Sequence, residues 1–251
     1  MTPEQANFIR GMEKAGKFAA EALKYAGSLV QVGVTTNEID RAVLEYTESR
    51  GAKSACVGYH GYPKAICTSI NDVICHGVPD DTKLKDGDIV NLDVTTVLNG
   101  YFGDTSATFF VGQVSERARA ITDAAEKARD KGIEAIAPNG MTGDIGAEIN
   151  KFVTRKGYHV VREIGGHGIG TVFHDDPFVP SFGKRGKGDR LKPFHCITVE
   201  PMVNETDVEY DEFDIPGSTI KWYRTGDRTL SAQFEHTVLI TDVGYQILTL
   251  A

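Results

Sequence analysis

The sequence is short of cysteine, of positive charge and of long apolar runs. Only Cys56, Cys67, Cys75 and Cys196 occur, none at CxxC spacing, which argues against a zinc ribbon, a thioredoxin-type redox motif and a disulfide framework. In a chain of 251 residues such thiols are expected to be reduced and the protein cytoplasmic. Lysine and arginine number 27 against 35 aspartates and glutamates, a net charge of −8. An extended nucleic-acid surface would need a basic footprint that is missing. No run approaches the roughly 18 apolar residues of a membrane span. Met1–Arg10 is polar with scattered apolar residues, unlike a signal peptide. No GxSxG elbow is present, and each cysteine sits in an apolar context, so a serine or cysteine nucleophile is not indicated. What is present suffices for a core: 41% of residues are hydrophobic and 25% charged, ordinary for a soluble domain that needs no staples.

Apolar periodicity predicts four helices. Phe8, Met12, Ala15, Ala19, Leu23 and Ala26 recur at helical spacing within Glu4–Val30. Thr36–Arg50 reads as a second helix, with Thr35 and Glu38 placed for a capping box and Gly51 as its stop. Ser115–Ile136 and Thr142–Lys156 read as the third and fourth, ended by Pro138 and Gly157. Strands are expected over Ile89–Leu98, Tyr101–Val111, His159–Glu163, Cys196–Val203 and Leu230–Thr241, with Glu205–Ser218 an acidic loop. An offset of 106 aligns the second helix with the fourth: Thr36 with Thr142, Ile39 with Ile145, Val43 with Ile149, Tyr46 with Phe152, Gly51 with Gly157. Each helix is followed by a Gly/His/Tyr-rich stretch and then by a strand with a central carboxylate, Asp93 or Glu200. The pattern suggests an internal duplication whose halves meet at a pseudo-twofold axis.

Three carboxylates lie in strand-like apolar settings: Asp93 in Ile89–Val94, Glu200 in Cys196–Pro201 and Glu235 in Phe234–Ile240. A buried carboxylate is costly unless something positive meets it. Asn99-Gly100 is a strong hairpin signal. With that turn Thr95 opposes Asp104, and Asp93 shares its face two residues away. The two carboxylates become diagonal neighbours about 7–8 Å apart at the backbone. The bland alternative is a solvated hairpin face. His167 stands among glycines in Gly165–Gly170, with His174 seven residues on. A phosphate cradle there lacks the GxGxxG spacing and a following helix. Four carboxylates with one imidazole favour Mn, Fe(II), Co or Zn over a thiolate site. Two ions about 3.5–4 Å apart suit amide or ester hydrolysis.

Read together, His76-Gly77-Val78-Pro79-Asp80, Asn91–Val94, Gly103–Ser106, Gly165–Gly170, Val199–Met202 and Ser231–Thr237 resemble type I methionine aminopeptidases, in order and over nearly the whole chain. The resemblance implies an α+β pita-bread fold. Two pseudo-symmetric α/β halves, roughly 1–112 and 113–251, would surround a curved antiparallel sheet in a single catalytic domain. It implies that Asp93, Asp104, His167, Glu200 and Glu235 hold two divalent ions, with Glu200 also handling the proton. His174 would stabilise the oxyanion and His76 would contact substrate near the scissile amide. Cys56, Tyr59, Tyr62, Cys67, Phe173 and Trp222 would line a slot for the methionine side chain; simple core packing is the alternative for the two cysteines. The implied partners are nascent chains beginning with Met and a small second residue, processed by a monomer. A transient ribosome contact through the basic loop Lys184–Arg190 is also open. A prolidase-type peptidase would use the same ligands, and a non-catalytic relative would commonly lose some of them. One departure stands out: where the family usually reads Pro-Gly-Met, this chain has Pro193-Phe194-His195. Phe194 is not expected to take the positive φ open to glycine.

Overall fold

The computed structural model describes residues 1–251. Thr2 accepts from the Gln5 amide while the Gln5 side chain returns to the Thr2 N–H, and Pro3 takes the first helical position, so α1 starts at once and runs Pro3–Ser28. The Thr35/Glu38 capping box forms and opens α2, Thr36–Glu48. Then follow β1 Lys53–Ser54, β2 Cys67–Ile70, β3 Val73–Cys75, β4 Ile89–Leu98, β5 Tyr101–Phe110, α3 Glu116–Glu134, α4 Thr142–Arg155, β6 His159–Val160, β7 Gly166–Ile169, β8 Asp175–Val179, β9 Cys196–Val199, β10 Met202–Asn204, β11 Tyr210–Asp214, β12 Lys221–Thr225, β13 Ser231–Gln233, β14 Glu235–Ile240 and β15 Tyr245–Ile247.

Asn99 and Gly100 both take positive φ, the requirement of a tight hairpin turn. The register follows from it: Leu98 opposes Tyr101, Thr95 opposes Asp104 and Asp93 opposes Ser106. The main antiparallel sheet runs β1-β4-β5-β14-β9-β7-β8, with β2 beside β4 and β15 beside β14. Its central seam is β5–β14, where Glu235 pairs with Ser106 and His236 with Thr105. Helices cover one face. Ala22, Ala26, Ile39 and Val43 of α1 and α2 pack on Val90, Leu92 and Val94. Ile121, Ala125, Ile145 and Ile149 of α3 and α4 pack on Ile197, Val199 and Val238. Side chains alternate along a strand, so Leu92 and Val94 face the helices and Asp93 and Thr95 face the hollow of the curled sheet.

The helices at offset 106 behave alike. Glu38 accepts from Thr35 N–H at 2.7 Å and Asp144 from Met141 N–H at 2.9 Å. Both helices are followed by glycine at positive φ, Gly51 and Gly157.

Several strand expectations are corrected. Cys196–Val203 breaks into β9 and β10 at Glu200-Pro201, since proline lacks a ladder donor. Leu230–Thr241 breaks at Phe234, and His159–Glu163 shrinks to two residues. Within the Gly165–Gly170 stretch, Gly166–Ile169 form strand β7, paired with β8 and β9. The acidic segment expected to be a loop supplies β11, paired with β12 from Tyr210↔Thr225 to Asp214↔Lys221. Phe194 does adopt positive φ, at 67°. Left-handed backbone costs a non-glycine residue about 1–2 kcal/mol. Two flanking bonds hold it, Phe194 N–H to Ile240 O at 2.7 Å and Ile240 N–H to His195 O at 2.9 Å.

Candidate active site

The hollow face carries a cavity of about 310 Å³. Asp93 of β4, Asp104 of β5, His167 of β7, Glu200 after β9 and Glu235 of β14 all line it. Ligand atoms of Asp104, His167 and Glu235 lie within 4.8 Å of one another. His167 Nε2 is 3.6 Å from Asp104 Oδ2 and 3.6 Å from Glu200 Oε1. His167 Nδ1 meets the Gly168 carbonyl at 2.9 Å. A carbonyl only accepts, so Nδ1 carries a proton there and Nε2 is the nitrogen turned to the carboxylates.

The group is poorly solvated. Asp104 is 4% and Glu235 2% exposed. Asp93 Oδ1 and Glu235 Oε1 are buried with no hydrogen-bond partner. Burial first, and the charge of Asp104 second, push the Asp93 and Glu235 carboxyls well above the usual range. Burial raises Glu200 to about 7 against the opposing charge of His167. For His167 burial pulls downward, but the nearby carboxylates of Asp104 and Glu200 outweigh it and raise the group. Unpartnered, dehydrated anions around an imidazole are what a bound cation relieves. An oxygen-dominated set with one nitrogen fits a divalent metal.

Strand alternation surrounds these ligands with hydroxyls and an amide two residues away. Thr95 Oγ1 donates to Asp104 Oδ1 at 2.7 Å. Thr198 Oγ1 accepts from His167 N–H at 3.0 Å and so donates onward to Glu200 Oε1 at 2.8 Å. Gln233 Nε2 donates to Glu200 Oε2 at 3.2 Å. Thr95, Thr198 and Gln233 were not singled out from the sequence. The signal was available: each lies two residues from a carboxylate, which in a strand is the same face.

Other walls are aromatic and sulfur-bearing. Cys56, Tyr59, Tyr62, Cys67 and Phe173 line the cavity; all but Tyr59 form one buried cluster with Ile215, and Tyr59 packs against it. The Tyr62 hydroxyl is tied to the Ile66 and Gly77 carbonyls at 3.2 and 3.1 Å. Trp222 packs on the same cluster but faces a neighbouring cleft with Asn71, Asp72 and Arg224; Ile220 reaches the cavity instead. Glu163 and Phe178 also line the cavity and were missed. His195 lines a separate cleft and meets Pro193 O at 3.2 Å, away from the carboxylates.

Both further histidines line the cavity. His76, at φ 56°, donates from Nδ1 to Lys221 O at 2.9 Å. Burial holds it below the ordinary histidine range, against the Lys221 carbonyl and Asp104, so it is neutral with Nε2 as acceptor. His174 is held down to about 4, first by burial and then by the charge of His167. Its ring stacks on Phe173 at 4.1 Å.

Comparisons with known proteins agree with this geometry. The chain is 46% identical over 243 residues to methionine aminopeptidase A of a Synechocystis species, covering 96% of this chain and 94% of the relative. A crystal structure of methionine aminopeptidase from Rickettsia prowazekii superposes with a TM-score of 0.94 at 42% identity, covering 100% of this chain and 98% of that one. A prolidase from Pyrococcus horikoshii shares the pita-bread fold at a TM-score of 0.77 and 21% identity, and the match covers 98% of this chain but only 62% of that protein. The model of metallopeptidase family M24 matches residues 10–242, and the chain belongs to that family.

Proposed function

We propose that this protein is a metal-dependent aminopeptidase that removes N-terminal methionine from polypeptides whose second residue is small. The observation that carries the reading is that the five candidate metal ligands and a set of sulfur and aromatic side chains line one cavity. An unbranched thioether suits a slot with such walls. Relatives named methionine aminopeptidase, from Synechocystis and Rickettsia, support the assignment.

Asp93, Asp104, His167, Glu200 and Glu235 would hold two divalent ions, drawn from Mn, Fe, Co or Zn. Four carboxylates carry four negative charges when ionised, which two such ions balance. Bound there, the ions supply Lewis acidity toward the scissile carbonyl and toward water. The chain's own residues do the rest. The apolar slot holds the side chain of residue one. Glu200, fixed by Thr198 and Gln233, takes a proton from the attacking water and returns it to the leaving nitrogen. His76 Nε2 accepts from the substrate backbone, and His174 donates to the developing oxyanion.

The substrates would be chains emerging from synthesis, met in the cytoplasm by a monomer. Four free, buried cysteines suit a reducing compartment, and no helix is long and apolar enough to cross a membrane. The exposed loop Lys184–Arg190 would touch the ribosome transiently; association that ignores charge reversal there removes that part. The central test is turnover of Met-Ala-Ser peptides after loading with Mn, Co, Fe or Zn. Cleavage abolished by chelator supports the reading, and no turnover with any of these ions overturns it. Cleavage of X-Pro but not Met-Ala peptides would redirect it to a prolidase-type specificity.

A further inference from the structure

We propose that Tyr59 is a positioning residue that fixes which nitrogen of His174 carries the proton, and that the acidic β11–β12 hairpin holds Tyr59 in place for it. The inference rests on the aminopeptidase reading above and adds a role for a residue otherwise assigned to the methionine slot.

The Tyr59 hydroxyl lies 2.7 Å from His174 Nδ1. This is the only hydrogen bond the hydroxyl makes within the protein. A neutral imidazole has one donor nitrogen and one acceptor nitrogen, and its neighbours choose between them. If the phenol donates, Nδ1 is the acceptor and the ring proton stands on Nε2. If the ring donated from Nδ1, the phenol proton would have no protein acceptor and Nε2 would present a lone pair. Only the first arrangement gives an N–H at the far side of the ring, in the cavity shared with Asp104 and Glu200. A developing oxyanion is stabilised by a donor and repelled by a lone pair, so the Tyr59 hydroxyl decides whether His174 helps or hinders.

The rest of the ring's freedom is removed by packing. Phe173 lies parallel to His174, with centroids 4.1 Å apart and planes at 16°. Tyr59 itself tilts against Phe173 at 4.7 Å. The three rings form one block, with the hydroxyl–imidazole bond at its edge.

Tyr59 sits in a tight turn closed locally by Gly61 N–H to Gly58 O at 3.1 Å and Tyr62 N–H to Tyr59 O at 2.9 Å. Gly58, His60 and Gly61 all take positive φ, and for His60 this is an uncommon backbone state. The turn is latched from outside. The His60 carbonyl accepts from Ser218 Oγ at 2.9 Å and from Thr219 N–H at 3.0 Å. A Cβ on Gly61 would collide with the Gly217 carbonyl, so the hairpin tip and the turn meet at backbone contact. Residues 217–219 connect β11 to β12, and the hairpin thereby clamps the turn that aims the phenol.

The test uses zinc-loaded protein and Tyr59→Phe, which keeps the ring and removes only the hydroxyl. Nitrogen-15 NMR of His174 in the unaltered protein should show the Nε2–H tautomer, and in Tyr59→Phe a mixture or a shift toward Nδ1–H. On Met-Ala-Ser the variant should lose on the order of 10-fold in kcat with KM changed less than about 3-fold, because slot contacts are kept while a transition-state donor is disordered. Bound zinc should be unchanged. Ser218→Ala, which loosens the latch alone, should move kcat in the same direction by less. An Nδ1–H signal in the unaltered protein overturns the proposal without any variant. So does a Tyr59→Phe protein with unaltered tautomer, or with a raised KM and normal kcat. If the unaltered protein cleaves no peptide while His174 shows Nε2–H dependent on Tyr59, the aminopeptidase reading fails and the tautomer assignment stands.

Discussion

Cys67 stands directly across the β2–β4 ladder from Asp93. One backbone pairing therefore joins the wall of the apolar slot to a candidate metal ligand. Under the proposed function, substrate recognition and ligation share a single register, and a slip of one residue in β2 would turn Cys67 out of the slot. What holds β2 in place is its entry. Asp40 of α2, 5% exposed, accepts from the Ala65 and Ile66 amides through Oδ1 at 2.8 and 3.2 Å.

Asp40→Ala leaves two buried amides without an acceptor. Each lost partner costs about 1–3 kcal/mol, so a stability loss of roughly 2–6 kcal/mol is expected. For a domain of this size that is about 4–24 °C in melting temperature. KM for Met-Ala-Ser should rise as the slot loosens. Calorimetry and steady-state kinetics check both, and a melting temperature within about 2 °C of the unaltered protein would refute the anchoring role.

Thr198→Val keeps the shape of the side chain and removes the hydroxyl that joins the His167 amide to Glu200. Partners of this kind typically contribute 10–100-fold to metal affinity or activity. Metal titration by calorimetry should show affinity weaker by about that factor, with kcat falling in step. Unchanged values of both would mean that Glu200 is oriented by Gln233 alone.

His174→Ala tests the proposed oxyanion role, since it leaves the five proposed ligands in place. The expected result is a kcat lower by about 10²–10³ with the metal content per chain unchanged by elemental analysis. Loss of metal would instead place His174 among the ligands.

Chelator-treated protein should become less stable between pH 6.5 and 8. Glu200 is raised in the folded state from 4.5 to about 7, and Asp93, Glu235 and His167 are raised too. A raised group binds more protons folded than unfolded, so its stabilisation is complete below the unfolded value and is lost as pH rises through the folded one. His76, His174 and His236 are lowered and act oppositely, but mainly below about pH 6.5. The upper window therefore isolates the carboxylate cluster. Melting temperature should fall by several degrees across it, and added Mn should restore it most at pH 8. A rise across this window would contradict the dehydrated cluster.

The sequence was most informative where a side chain's own neighbours decide the outcome. Capping at Thr35 and Glu38, the Asn99-Gly100 turn and the alternation of Leu92, Asp93 and Val94 set their elements locally. From the turn alone the opposition of Thr95 and Asp104 could be written down, and it is found. Charge and composition, with their lack of a basic surface or an apolar span, bounded the class of protein. The ordered motifs around Asp93, Asp104, His167, Glu200 and Glu235 placed it in its family.

Tertiary structure decided what depends on partners far away in the chain. Gly166–Ile169 became a strand only because β8 and β9 flank it. The acidic stretch became a hairpin because β12 pairs with it on one side and β3 with β12 on the other. Phe194 was driven into left-handed backbone by bonds to Ile240. The proton on His174 depends on a phenol 115 residues earlier, and Trp222 yielded its place in the cavity to Ile220. For the strands the local preference is worth about 1 kcal/mol or less per residue, and for Phe194 about 1–2 kcal/mol. Pairing and burial across the sheet outweigh that, so only the assembled fold could settle them.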